Sequence, residues 1–186
     1  MMDSFLEEVV TKKNRVMESV VYALANVSWV LLAVFAFMQL QSVTYLLSAE
    51  GFGTDTLISI AIFLVIAAAA VLIFLYRDRI KTEYEYTFTN GQMDFAQVFN
   101  NKKRKALGTM NVRNVQACGL VASGSFQRYI NMPGIKRTNW FLNREAELLY
   151  FYFEKEGQKR IIIIEPSQEM VSNIKKFLPQ GIWQIN

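Results

Sequence analysis

Two long stretches of this chain, Ser19 to Ala49 and Thr56 to Tyr76, carry no charged side chain. A helix rises about 1.5 Å per residue, so roughly 20 apolar residues cross the ~30 Å hydrocarbon core of a bilayer. Each stretch is long enough to do so. The link between them, Glu50-Gly51-Phe52-Gly53-Thr54-Asp55, holds two acids and no base. The outer flanks are basic: Lys12, Lys13 and Arg15 before the first stretch, and Arg77, Arg79 and Lys81 after the second. Basic flanks stay on the cytoplasmic side. The sequence therefore predicts a two-helix transmembrane hairpin with both termini cytoplasmic.

With 186 residues, the chain has room for that hairpin and one further domain of ordinary size. The charge is uneven. From Arg77 onward there are 17 bases and 10 acids, a net of +7, and before it 3 bases and 6 acids, a net of −3. Cys118 is the single cysteine, so no intrachain disulfide forms, which agrees with a reducing compartment. Histidine is absent, which removes the commonest general base and the commonest metal ligand.

Residues 1–18 form an N-terminal segment. Ser4 and Glu7 have capping-box spacing, and Phe5, Leu6, Val9, Val16 and Met17 recur at helical spacing, which predicts an amphipathic helix over 3–18. Such a helix either lies on the membrane surface or leads, frayed and solvated, into the first span. The hairpin occupies 19–76, with spans of about 20–42 and 56–76. The first is more polar beyond Gln39, and its excess length implies tilt or an interfacial end. An Ala-x-Ala pattern at 23–25 falls near the start of the apolar core, so an uncleaved anchor is favoured over a signal peptide. Ala67 to Ala70 reads as packing inside the hairpin. Neither span holds an ionisable residue of the kind ion pathways need, which argues against a channel or transporter.

Beyond Lys81 the period changes to alternation. Tyr84, Tyr86 and Phe88 share a face, and Asn90-Gly91 is the strongest hairpin signal in the chain. Met93, Phe95 and Phe99 continue on a return strand, and Asn100 to Lys105 reads as the next turn. Ala106 to Val112 and Val115 to Val121 read as strands. In 122–146, Phe126, Tyr129, Ile130, Trp140, Phe141 and Leu142 supply one or two short strands. Leu148 to Phe153 and Ile161 to Ile164 form a hairpin, and the isoleucine run reads as a buried strand. Pro166 suits a first helical turn, Met170, Val171, Ile174, Phe177 and Leu178 make an apolar stripe, and Pro179 ends the helix.

Six or seven strands in meander order closed by one C-terminal helix resemble a PH-like barrel. The segment 84–91, the basic run Lys102 to Lys105, and Ile163-Ile164-Glu165-Pro166 before the helix resemble a family of small two-span bacterial membrane proteins with a C-terminal PH-like domain. That resemblance covers about residues 10–180 and carries no assigned activity. It implies an α+β membrane protein with a transmembrane hairpin and a cytoplasmic PH-like β-barrel over 82–179. Lipid-binding PH domains place their bases around the first hairpin loop. Here that loop is Asn90-Gly91 and the bases follow the second strand.

Lys102, Lys103, Arg104 and Lys105 form the sharpest candidate site, as contacts for anionic lipid headgroups or a partner. Arg113, Lys136 and Arg137 are candidates to extend it. The competing reading is a solvated turn that keeps a sheet edge from pairing. Aromatic residues are not interleaved with the basic run, so nucleic acid is not expected. Cys118 lacks a histidine to activate it and reads as a small buried residue. Glu145 and Glu147 read as a solvated rim. No metal-ligand spacing, phosphate-cradling glycine loop or nucleophile elbow is present. No catalytic residue, metal or cofactor is expected. The expected function is a non-enzymatic, membrane-anchored binding or scaffold module, with the lipid bilayer and a membrane-protein partner as associates. The alternative is an accessory subunit that joins a larger complex through its transmembrane helices.

Overall fold

In a computed structural model, residues 4–185 are described; Met1, Met2 and Asp3, the first residues of the expected N-terminal segment, lie outside them, as does Asn186. The chain divides into two compact units. One is Asn14–Lys81. The other joins the residues before Asn14 to those from Thr82 onward.

The first unit is a pair of helices. α1 runs from Arg15 to Glu50, and α2 from Thr54 to Tyr76, followed by a 3-10 turn at Arg77–Ile80. The Asn14 side chain caps α1 by accepting from the Val16 N–H at 3.1 Å. Both helices are long and apolar enough to cross a membrane, yet only 6% and 11% of their most apolar windows is buried. Leu24, Leu31, Phe37, Leu64 and Val65 are among the large apolar side chains left exposed. Polar groups within the pair find partners. Gln39 Nε2 donates to Ser59 Oγ at 2.8 Å, Thr56 Oγ1 to the Gly51 carbonyl at 2.8 Å, and Ser48 Oγ to the Thr44 carbonyl at 2.8 Å. At the other end, Arg77 Nη1 donates to Asn26 Oδ1 at 2.7 Å and its guanidinium lies over the Phe74 ring, 4.4 Å from the centroid. Lys81 lies over Tyr22 and Arg79 over Tyr76. This end carries an aromatic and basic girdle.

The second unit corrects the expected N-terminal helix. Residues Phe5–Val10 form strand β1, which pairs antiparallel with β2 (Thr82–Thr89), Phe5 opposite Thr89 and Val10 opposite Tyr84. Leu6 and Glu8 are half-buried and Val10 is buried, whereas Phe5, Glu7 and Val9 are exposed: period two, not 3.6. The helical reading joined two short apolar sets across the break at Thr11–Asn14. Pairing with a strand more than 70 residues away overrode the local pattern.

β3 (Gln92–Phe99) and β4 (Lys103–Asn111) complete a four-stranded sheet in the order β1-β2-β3-β4. Asn90 and Gly91 make the expected tight turn, both with positive φ. Gly91 suits the turn by its positive φ, and a Cβ there would press on Phe177 Cδ1 at 3.1 Å. The second sheet contains β5 (Ala117–Leu120), β6 (Lys136–Trp140), β7 (Leu149–Lys155), β8 (Gln158–Ile164) and β9 (Trp183–Gln184), in the order β6-β8-β7-β5-β9. β6 runs parallel to β8, and β5 to β9. The sheets are therefore not closed into the expected meander barrel. Seven strands, β2 to β8, lie within 82–179, in line with the six or seven expected there, and β1 and β9 are added from outside that span. Of the region read as strands, Gly124–Ile130 is helix α3, with Phe126, Tyr129 and Ile130 at i, i+3, i+4 spacing.

The inner faces of both sheets share one core with α4 (Gln168–Phe177), built on Tyr86, Phe88, Phe95, Leu149, Phe151, Ile162, Met170 and Ile174. The outer face of the second sheet forms another, with Tyr150, Tyr152, Ile161 and Ile163 under Phe126 and Tyr129. Burial on both sides explains the unbroken isoleucine run. Ser167, not Pro166, starts α4: its Oγ accepts from the Met170 N–H at 3.2 Å. The expected apolar stripe holds, with Met170, Val171 and Ile174 buried.

Candidate functional site

The four consecutive bases do not form one turn. The turn is made by Asn100 and Asn101, whose positive φ values suit asparagine. Lys102 follows, and Lys103, Arg104 and Lys105 already belong to β4. All four are exposed. Alternation puts Lys103 and Lys105 on one face and Arg104 on the other. Arg104 Nε donates to Glu85 Oε2 at 2.6 Å, with the two side chains 61% and 19% exposed. An exposed pair of this kind is worth about 0–1 kcal/mol, but it does counter one of the four charges. β4 is a sheet edge, where bases hinder pairing with another chain. The other bases flagged in sequence stand elsewhere. Arg113 lies over the Phe177 ring, and Arg137 Nε donates to Asn139 Oδ1 at 2.9 Å.

A different set of bases converges between the two sheets. β4 bulges at Leu107, since Phe95 opposes Gly108 while Ala96 opposes Ala106. Across from this bulge runs β6, whose Trp140 ring packs 4.8 Å from that of Phe95. The Tyr86 hydroxyl donates to the Trp140 carbonyl and accepts from the Glu165 N–H at 3.3 Å. Burial pushes the Tyr86 phenol far above its usual range, so it stays a neutral donor. Trp140 is thus held at the floor of a cleft of about 270 Å³, lined also by Thr138, Phe153, Lys136, Lys155 and Arg160.

Register explains the convergence. Lys136 is the partner of Arg160 across β6 and β8, and Arg160 is the partner of Phe153 across β8 and β7. Lys155 lies two residues beyond Phe153 on the same face. Lys155 and Arg160 were missed in sequence, because they meet Lys136 only through a parallel pairing of strands 24 residues apart.

The remaining candidates have structural places. Cys118 is fully buried in the first core, and burial pushes its thiol up, slightly opposed by the charge of Lys175. Glu145 and Glu147 are exposed in the loop before β7, not on a strand, and Glu147 accepts from Gln168 Nε2. Among the described residues no group of three or more His, Cys, Asp or Glu could hold a metal ion.

Residues 2–184 match the family described as a bacterial PH-like domain (DUF6106). The chain belongs to this family. The match runs through both helices as well as the sheets, so family membership is not confined to the part after the second helix. No curated protein and no solved structure matches the chain. A PH-like family supports a binding or scaffold module.

Proposed function

We propose that this family member is a non-enzymatic, membrane-anchored binding module that holds its PH-like unit at the cytoplasmic face of the cell membrane. The observation that carries the reading is the place of the helix pair in the chain: it is inserted between β1 and β2, two hydrogen-bonded neighbours. Both ends of the hairpin must then return to one sheet, which an even number of crossings allows and a single crossing forbids.

The helices' surfaces support the membrane. Core helices of a soluble protein are mostly buried, whereas these leave long apolar faces uncovered, a surface that water penalises. Tyr22, Tyr76, Arg77, Arg79 and Lys81 sit at one end, as aromatic and basic residues do at the cytoplasmic interface. Lys102, Lys103 and Lys105 are our proposed contacts for anionic headgroups or a membrane-protein partner. Alkaline carbonate extraction of membranes tests the anchor. The chain should stay in the pellet, and its release into the supernatant would sink the reading.

A further inference from the structure

We propose that the cleft between β4 and β6 binds the phosphate of a phosphate monoester that also carries an apolar group. This names a ligand for the binding module inferred above; it rests on that reading for the module, not for the membrane.

Three cations line the cleft, Lys136, Lys155 and Arg160, and no acid does. None of the three forms an ion pair among the described residues. Arg160 Nε is buried with no acceptor. Edge protection explains charges on β6, but β8 and β7 are inside the sheet, so it does not explain Arg160 and Lys155. Glu154 borders the adjoining depression, and alternation puts it on the opposite face of β7 from Phe153 and Lys155. Like charges gathered around the buried Arg160 Nε repel one another, and an anion reverses the sign.

The shape and chemistry narrow the anion. A phosphate dianion matches several cations better than a carboxylate, and a guanidinium grips its oxygens with two parallel hydrogen bonds. The rings of Trp140 and Phe153 offer an apolar floor beside it. The volume of about 270 Å³ lies just below the ~300–1,000 Å³ of ordinary ligand pockets, which suits a headgroup-sized ligand rather than a large cofactor. The phosphate has two sources, a membrane lipid or a soluble metabolite.

The test uses the full chain in neutral detergent, titrated calorimetrically with phenyl phosphate and, as control, phenol. Phenyl phosphate should bind and phenol should not. Lys136→Gln and Lys155→Gln, both at exposed positions, should each weaken binding at least about tenfold, while Lys176→Gln, exposed on α4 and outside the cleft, leaves it unchanged. Arg160→Gln should weaken it further; should that variant unfold, the two lysine variants decide. In nanodiscs, added phosphatidic acid that competes with phenyl phosphate supports the site with a lipid source, and undisturbed binding supports it with a soluble source. No binding to the unaltered chain, or equal affinity in both lysine variants, overturns the proposal. A chain that stays with membranes yet binds no phenyl phosphate would overturn the cleft alone. A chain that carbonate releases yet binds it would overturn the anchor alone.

Discussion

The Asn143 side chain accepts from the Lys13 N–H at 2.9 Å and donates to the Thr11 carbonyl at 2.9 Å and to Glu165 Oε1 at 2.6 Å. The other oxygen of Glu165 accepts from the N–H groups of Leu142 and Asn143. This network pins the chain where β1 ends. Asn143→Ala removes three side-chain hydrogen bonds at a partly buried site, each with a net worth of about 0.5–1.5 kcal/mol. A loss of about 2 kcal/mol in chemical denaturation is expected, and an unchanged midpoint would mean the network is idle. Alkaline pH acts on other residues. Burial raises the Tyr84, Tyr86 and Tyr150 phenols and the Cys118 thiol. Groups raised in the folded state leave stability intact below their unfolded range and lose it as pH climbs past that range. The unfolding free energy should therefore be insensitive to these groups up to about pH 8, begin to fall from about pH 8.5, where a free thiol ionises, and fall steeply beyond about pH 10, where free phenols do. A flat profile to pH 11 would contradict their burial. None of this was legible in sequence except the inert reading of Cys118, because hydrogen-bond partners such as Asn143 and Thr11 are far apart along the chain.

β1 is the element that most changes the picture. It contributes buried Val10 and half-buried Leu6 to the core, and Glu8 Oε2 accepts from the Ser167 N–H at 2.9 Å, at the start of α4. Burying two such side chains is worth about 3 kcal/mol, a large part of the ~5–15 kcal/mol that keeps a domain folded. Residues 82–179 leave out both β1 and β9. A fragment starting at Thr82 should melt without cooperativity or aggregate through the bared edge of β2. Replacing 14–81 by a short glycine-serine loop, which turns β1 and β2 into a plain hairpin, should restore a cooperative melt followed by circular dichroism. Equal cooperativity in both would show β1 to be dispensable. Elements with strong local signals were readable: the Asn90-Gly91 hairpin, the strands around Glu156-Gly157, the isoleucine strand and α4. β1, α3 and the parallel pairings were not. Phe5-Leu6-Glu7-Glu8-Val9-Val10 does not alternate, and a seven-residue helix offers too few turns for its period to stand out.

For the whole molecule, the helix pair lies between two neighbouring strands, and the proposed anchor therefore places the residues before it and after it in one compartment. Single cysteines report this directly, because buried Cys118 gives little background toward a maleimide. Glu7→Cys on β1 and Lys105→Cys on β4 fall at exposed positions, and Gly53→Cys at a half-exposed position in the link. With a membrane-impermeant maleimide on intact spheroplasts, Gly53→Cys should label while Glu7→Cys and Lys105→Cys stay silent. The two silent positions should label in inverted vesicles. Labelling of Glu7→Cys and Lys105→Cys from opposite sides, or of both from outside, would contradict the account.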